Sequence, residues 1–470
     1  MNVKALGIFL GTLRVGVLFQ YQMPGAPVVN RFVADDAFAS LRNAPVLSLS
    51  MVADEPEDQR ALWADYRAEL FNGGFSQHNG WLLPAFFQNL LPEGVFRDHV
   101  GALRGCDPKD HFEMLAACGR DLPGNVHARP LELSRDELAH YVTQDADSLE
   151  MSVTADPMDD GVSLSGVQPK VAVIKDGDRY VGRTKLQDTH IIAKLPVVGQ
   201  PRLPELEDLS LRLAKAAGVN ATEAYLEPLE KLAVQHGYDL GDVDRKTNFL
   251  AVVRYDRTTN GRVHCEDFAQ ILGIMPEQKY VGATYYDMAT VMMAFPSLGE
   301  PAVHELLRRL VVNSMLGNAD CHVKNVGLYY PDGVTPELPP AYDIVAYSAY
   351  QKRVGHALHI LPPDDEAHAK KPRMSVADAK QSKATKPDLT PGVVRAFCAG
   401  LDIPEKPAMT VIKQCVAAAY ATWPAMIEES LLTDGQKDRL LSFFREHPFI
   451  VSLDKRKAQA LDPGGGATGS

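Results

Sequence analysis

The sequence predicts an α+β chain of two lobes, an N-terminal lobe of helices and small sheets and an all-helical C-terminal lobe. Three observations predict it. Residues 3–20 read as two strands joined by a turn at 11–14. Residues 170–174, 179–183 and 189–195 are three further strand-like runs, with 222–226 and 248–255 following an intervening helix. From Glu266 onward the spacing is helical, most clearly over 302–316.

Local signals place the other elements. Residues 54–72 are charged with helical spacing, and Pro92 opens a helix, since proline is tolerated in a first turn. Residues 107–110 cap a helix running to Cys118, after which Gly119 and Gly124 punctuate the chain. Leu206, Leu209, Leu213 and Ala216 mark a helix over 204–217 with Gly218 as its C-terminal stop. A polar turn covers 256–262 and a proline-rich one 329–340. Short helices are expected over 376–383 and 391–401, and a closing helical pair over 412–432 and 435–445. The acidic, aperiodic stretch 145–160 reads as a link. The resulting division is 1–150, an α/β subdomain; 151–260, a sheet-rich core; 261–450, a helical lobe; and 451–470, a flexible tail.

Composition bounds the function. The chain has 470 residues, with 48 Lys and Arg against 60 Asp and Glu, a net charge of −12. That balance argues against a protein gripping nucleic acid over its whole surface, while leaving room for a partner that binds DNA. The six cysteines have no C-x-x-C pair, which argues against zinc ribbons and thioredoxin-like chemistry and suits reduced core thiols. The N-terminus lacks a secretory signal pattern and no run of eighteen apolar residues occurs, so a cytoplasmic protein without a membrane span is expected.

The informative segment is Asn318-Ala-Asp-Cys-His-Val-Lys-Asn325. Phosphoryl transfer needs a carboxylate that takes the proton of the attacking hydroxyl, and an oxygen ligand for Mg²⁺ a short loop away. Asp320 and Asn325 have that spacing. Asp343, after an intervening strand and turn, stands where a second metal-binding carboxylate belongs. Lys194 sits within an apolar strand, where its charge requires compensation. The phosphates of ATP would supply it, with Glu205 and Glu207 as helix carboxylates able to hold the ammonium. The small-residue loop Ser163-Leu-Ser-Gly-Val-Gln-Pro-Lys170 suits approach of backbone N–H groups to phosphates.

Together these segments resemble the HipA family, the serine/threonine-kinase toxins of bacterial toxin–antitoxin pairs. The matching wording is Ser163 to Lys170, Thr189-His-Ile-Ile-Ala-Lys-Leu-Pro196, Val253-Arg-Tyr-Asp-Arg257, Glu266-Asp-Phe-Ala-Gln270, Gly317 to Asn325 and Tyr342-Asp343. It includes Gln88-Asn-Leu-Leu-Pro-Glu-Gly94 and Gly119-Arg-Asp-Leu-Pro-Gly124 in the first half. The resemblance implies a HipA-like, protein-kinase-like fold with ATP in the cleft between its lobes. It implies Asp320 as catalytic base, with Lys324 and His322 beside it, and Asn325 and Asp343 holding Mg²⁺. Lys194 would contact ATP, as would the loop residues Ser165, Gly166, Val167, Gln168 and Lys170, and the backbone around Val253 and Tyr255 would hold adenine. The resemblance further implies autophosphorylation, at Ser163 or Ser165. It implies a HipB-type helix-turn-helix antitoxin that makes the contact with operator DNA, and a host protein substrate such as an aminoacyl-tRNA synthetase. The alternatives are a catalytically silent ATP-binding co-repressor and a HipA-fold kinase with a non-toxic target.

Departures from the family wording carry expectations too. Pro169 stiffens the loop and removes one N–H. Ala193, inserted before Lys194, turns the lysine to the other face of a straight strand, so a bulge is expected nearby. Lys324 either neutralises the transferred group or is solvated, and His322 is either catalytic or a brace of the loop. Cys321, beside the proposed base, is a point where alkylation would block the site.

Overall fold

The computed structural model describes residues 2–22, 25–65, 67–141, 150–151, 158, 162–164, 168–184, 187–244, 246–351, 355–363 and 389–461. The helix expected over 376–383, most of the link at 145–160 and the end of the tail lie outside the described residues. The chain forms two compact units, each discontinuous in sequence. The first comprises Met1–Val198, Glu227–Gly282 and Gly327–Pro339; the second Gly199–Leu226, Ala283–Val326 and Pro340–Ser470.

The first unit opens as expected. Strands Asn2–Leu10 and Leu13–Gln22 pair antiparallel about a tight turn in which Gly11 takes φ +60°. Val28–Ala34 extends the sheet on one side and Val126–Pro130 on the other. Both faces of this sheet are buried. Leu6, Ile8, Leu10, Leu18 and Phe32 meet Phe86, Phe87, Phe112 and Leu115, whereas Val3, Ala5, Val17, Phe19 and Tyr21 meet Leu133 and Leu138. Burial on both faces explains why the opening strands are nearly continuously apolar rather than alternating. Asp110 caps helix His111–Cys118 by accepting from the Glu113 N–H at 3.1 Å. Pro92 does not open its helix. The helix begins two residues later as Gly94–Arg104, so the proline ends the preceding loop.

A six-stranded sheet follows, in the order Ala224–Pro228, Asn248–Val253, Ile191–Lys194, Lys170–Asp176, Arg179–Val181, Leu232–Ala233. The helical pattern expected from Glu266 starts late. His264–Asp267 is a strand paired with Gly327–Tyr330, and helix Phe268–Ile271 begins only after the capping box at Asp267. The polar-rich strand His264–Asp267, four residues long, is too short to show a period-two pattern, so the helical reading overran it. Gly327–Tyr330 is the strand expected before Asp343.

The second unit is helical. Its elements are Leu203–Ala216, Tyr285–Ala294, Gly299–Leu316, Pro391–Gly400, Glu405–Glu428, Asp434–Glu446 and Pro448–Leu461. Trp423 is fully buried at its centre, with its ring 5.0 Å from that of Phe444 and its indole N–H donating to the Leu213 carbonyl at 2.9 Å. Among the described residues no helix is long and apolar enough to cross a membrane. The six cysteines are free thiols.

Candidate active site

Helix Gly299–Leu316 stops on a Schellman motif. Gly317 takes φ +64°, its N–H reaches the Ser314 carbonyl at 3.1 Å, and the Asn318 N–H reaches the Asn313 carbonyl at 2.8 Å. The chain thus enters the segment 318–325 in a fixed direction.

Asp320 stands on that segment with its side chain 39 % exposed, while Asn318, Cys321, His322, Val323 and Lys324 around it are buried. Its carbonyl accepts the His322 N–H at 2.8 Å and the Asn325 amide nitrogen at 2.7 Å. With that nitrogen engaged, Oδ1 of Asn325 is the atom suited to ligate a cation. Two hydroxyls brace the loop: Tyr285 donates to the Cys321 carbonyl at 2.7 Å, and Tyr342 to the Lys324 carbonyl at 3.1 Å. His322 Nε2 lies 4.0 Å from the Asp320 carboxylate. Lys324 is 4 % exposed, which removes the solvated alternative for it. Burial pushes the Cys321 thiol up to about 11, so it stays protonated and a poor nucleophile at neutral pH.

Asp343 has φ +53°, the left-handed region that Asp and Asn tolerate better than other side-chain-bearing residues. Its segment is anchored on both sides. Upstream, Ala341 exchanges backbone bonds with Asn220 and Thr222 at 2.7 and 2.8 Å. Downstream, the Ala346 N–H donates to Ser210 and the Ser348 hydroxyl to the Leu316 carbonyl.

In the first unit, Lys194 ends strand Ile191–Lys194. The register is unbroken on both sides, Ile191 to Lys194 facing Val173 to Lys170 and Val253 to Leu250. The expected bulge is therefore absent over these residues, because ladders on two sides hold the strand straight. Lys194 shares a face with Ile192 instead of being turned back. Lys170 lies directly opposite Lys194, at 6 % and 5 % exposure. Like charges directly opposed repel, and each lysine keeps interactions of its own with the surrounding protein. Gln168 adds a buried Nε2 with no hydrogen-bond partner among the described residues. Val162 and Leu164 pack with Ala172 and Ile192 on the same face. Ser163, between them, donates its hydroxyl to the Leu90 carbonyl and its N–H to the Asp121 carbonyl. Ser165, Gly166 and Val167 lie outside the described residues. Val253 pairs with Ile191, the Arg254 N–H donates to the His190 carbonyl at 3.0 Å, and the Tyr255 ring stands edge-on to Tyr329.

These donors fit the groups the sequence implies. Two paired lysines and an orphaned amide N–H suit phosphate oxygens. Among the described residues no three His, Cys, Asp or Glu converge on a metal. The sparse oxygen pair of Asn325 and Asp343 suits Mg²⁺, which takes one or two protein ligands alongside phosphates and water. Sequence reasoning missed the braces Tyr285, Tyr342 and Asn318 and the anchor Asp121. Only Asn318 had a local signal, the Gly-Asn pair closing a long helix.

The fold defines the class, a mixed α/β protein of the HipA-like fold. A profile of the HipA-like C-terminal domain matches residues 162–423, more than half of the chain, and one of the HipA N-terminal domain matches residues 6–129. The chain belongs to the HipA family. It is 36 % identical over 274 residues to a Sinorhizobium fredii protein named "Putative kinase Y4dM", covering 57 % of this chain and 63 % of that protein. It is 26 % identical over 294 residues to the serine/threonine-protein kinase toxin HipA of Shewanella oneidensis, covering 57 % and 63 %. The chain thus spans a little under two thirds of the length of these curated relatives. A structure of the Shewanella oneidensis HipA, HipB and operator DNA complex has a chain sharing the fold, with TM-score 0.62 and 19 % identity over 96 % of this chain and 99 % of that one.

Proposed function

We propose that the chain is an ATP-dependent serine/threonine protein kinase acting as a growth-arresting toxin. The observation that carries the reading is the loop 318–325. One half-exposed carboxylate, Asp320, is set among buried neighbours, and its backbone is tied to the side chain of Asn325. Asp320 takes the proton of the acceptor hydroxyl as its oxygen bonds to the γ-phosphorus of ATP and the bond to the bridging oxygen breaks, releasing ADP. Asn325 and Asp343 would hold Mg²⁺, which when bound neutralises phosphate charge. Lys194, Lys170 and Gln168 bind the phosphates, and buried Lys324 places positive charge beside the base. The backbone near Val253 and Tyr255 receives adenine. The retained Asp320, Asn325 and Asp343 speak against a silent co-repressor.

The resemblance supports a cytoplasmic protein restrained by a HipB-type helix-turn-helix partner, and a host target such as an aminoacyl-tRNA synthetase. The net charge of −12 suits contact with operator DNA mainly through that partner. Ser163, at 1 % exposure, must leave its bond to Leu90 before it can be phosphorylated.

Phosphopeptide mass spectrometry after incubation with Mg²⁺-ATP tests the reading. Wild type is expected to gain phosphate on the peptide containing Ser163 and Ser165, and Asp320→Asn to gain none. Equal phosphorylation of both proteins would remove Asp320 as the base. No phosphate transfer by wild type, either to itself or to synthetase mixtures, would overturn the kinase.

A further inference from the structure

The two chemical elements of the second unit, the loop bearing Asp320 and the turn bearing Asp343, lie far apart in sequence, and one buried side chain touches both. Asn318 is 2 % exposed. Its Oδ1 accepts the Asp320 N–H at 3.1 Å. Its Nδ2 donates to Asn313 Oδ1 at 3.0 Å and to the Asp343 carbonyl at 3.5 Å. Its own N–H holds the Asn313 carbonyl at 2.8 Å, so Asn318 is doubly fastened to the last turn of helix Gly299–Leu316.

We infer that Asn318 is a positioning residue that sets the proposed base, Asp320, and the proposed metal ligand, Asp343, in fixed register. The inference rests on the kinase reading above. The chemistry of the side chain supports it. A primary amide offers one acceptor and two donors, and all three are used here, each toward a different element. No other side chain of this size presents that combination. Aspartate supplies no donor, and would face the Asn313 Oδ1 and the Asp343 carbonyl with a carboxylate oxygen. Alanine leaves the Asp320 N–H and the Asp343 carbonyl without this partner. The backbone of Asp343 already occupies the left-handed region, which is held only when its surroundings over-determine it, and the Asn318 bond is one of those restraints. A displacement of about 1 Å at a reacting group costs on the order of 10²-fold in rate.

The test compares wild type, Asn318→Ala and Asn318→Asp in the full chain, with Asp320→Asn and Asp343→Asn as references. Two readouts are taken: the rate of phosphate transfer from Mg²⁺-ATP, and the affinity for ATP with and without Mg²⁺. The Asn318 variants are expected to lose about 10²-fold in kcat and to raise KM for Mg²⁺-ATP about tenfold. Their ATP affinity without metal should stay that of wild type, while the gain in affinity on adding Mg²⁺ falls at least about tenfold, as in Asp343→Asn. A merely structural residue would lower thermal stability without lowering kcat in the folded protein or erasing the Mg²⁺ effect. Should Asn318→Ala not fold, the near-isosteric Asn318→Asp carries both comparisons. A folded Asn318 variant with wild-type kcat and wild-type Mg²⁺ effect overturns the inference. If Asp320→Asn and Asp343→Asn also behave as wild type, the kinase reading has failed instead.

Discussion

Glu266 shows how a single buried residue couples stability to pH. Its carboxylate accepts from the Ser48 hydroxyl at 2.7 Å, the Leu49 N–H at 3.0 Å and the Tyr330 hydroxyl at 2.5 Å. Burial pushes its pKa up to about 7 against those donors, from an ordinary 4.5. A carboxyl raised in the folded state binds a proton there that the unfolded chain has already released. Its contribution to stability is therefore full below about pH 4.5 and is lost as the pH rises through about 7. Relative to Glu266→Gln, which does not titrate, wild type should lose about 1.4 kcal/mol per pH unit within that window. Urea denaturation of both proteins at pH 5 and pH 8 measures the change. A constant difference between them would mean that the three donors keep the carboxylate ionised throughout.

At the scale of elements, the turn 119–124 is closed by a glycine whose position has no room for a side chain. Gly124 takes φ +67°, its N–H donates to the Asp256 carboxylate at 2.8 Å, and a Cβ there would lie 2.7 Å from the backbone nitrogen of Cys265. Backbone cannot yield as a flexible side chain can, and the φ is unfavourable for alanine. Gly124→Ala should cost at least about 2 kcal/mol, measured by equilibrium denaturation. Strand Ile191–Lys194 gives the complementary lesson. A local insertion reads as a bulge, but two continuous ladders keep the strand straight and set Lys194 opposite Lys170. Register belongs to the partners of a strand as much as to its own sequence.

At the scale of the whole molecule, a buried ionic network holds the first unit together. The Asp121 carboxylate accepts from the Thr189 hydroxyl at 2.6 Å, Arg254 at 3.1 Å and Arg257 at 2.7 Å, and Asp256 pairs with both arginines. Burial alone would raise the Asp121 carboxyl, but Arg254, Arg257 and Arg262 outweigh it and hold it below the usual carboxylate range; Asp256 behaves likewise. For such depressed groups the stabilisation is present above the unfolded value near 3.8 and is lost as the pH falls through the folded one. Asp121→Asn leaves buried guanidinium groups under-compensated and should cost about 3–5 kcal/mol at neutral pH. The gap from wild type should narrow in acid, below about pH 4. A thermal-melting series from pH 3 to pH 7 follows both effects, and parallel curves would assign the network no share in acid unfolding.

The sequence alone determined what is local. The opening hairpin, the helix ending at Gly317, the spacing of Asp320 and Asn325 and the motifs of the HipA family are each written within a few neighbouring residues, where periodicity, capping and loop chemistry act. Tertiary structure alone decided what depends on residues distant in the chain. The partners of Asp121 are 68 to 136 residues away. Lys170 meets Lys194 only through strand pairing, and Asn318 reaches Asp343 only once the chain returns to the end of its helix. Hydrogen bonds and buried charge pairs act over a few ångströms of space, whatever the separation along the sequence, so a motif can name the chemical groups while only the fold sets them in register.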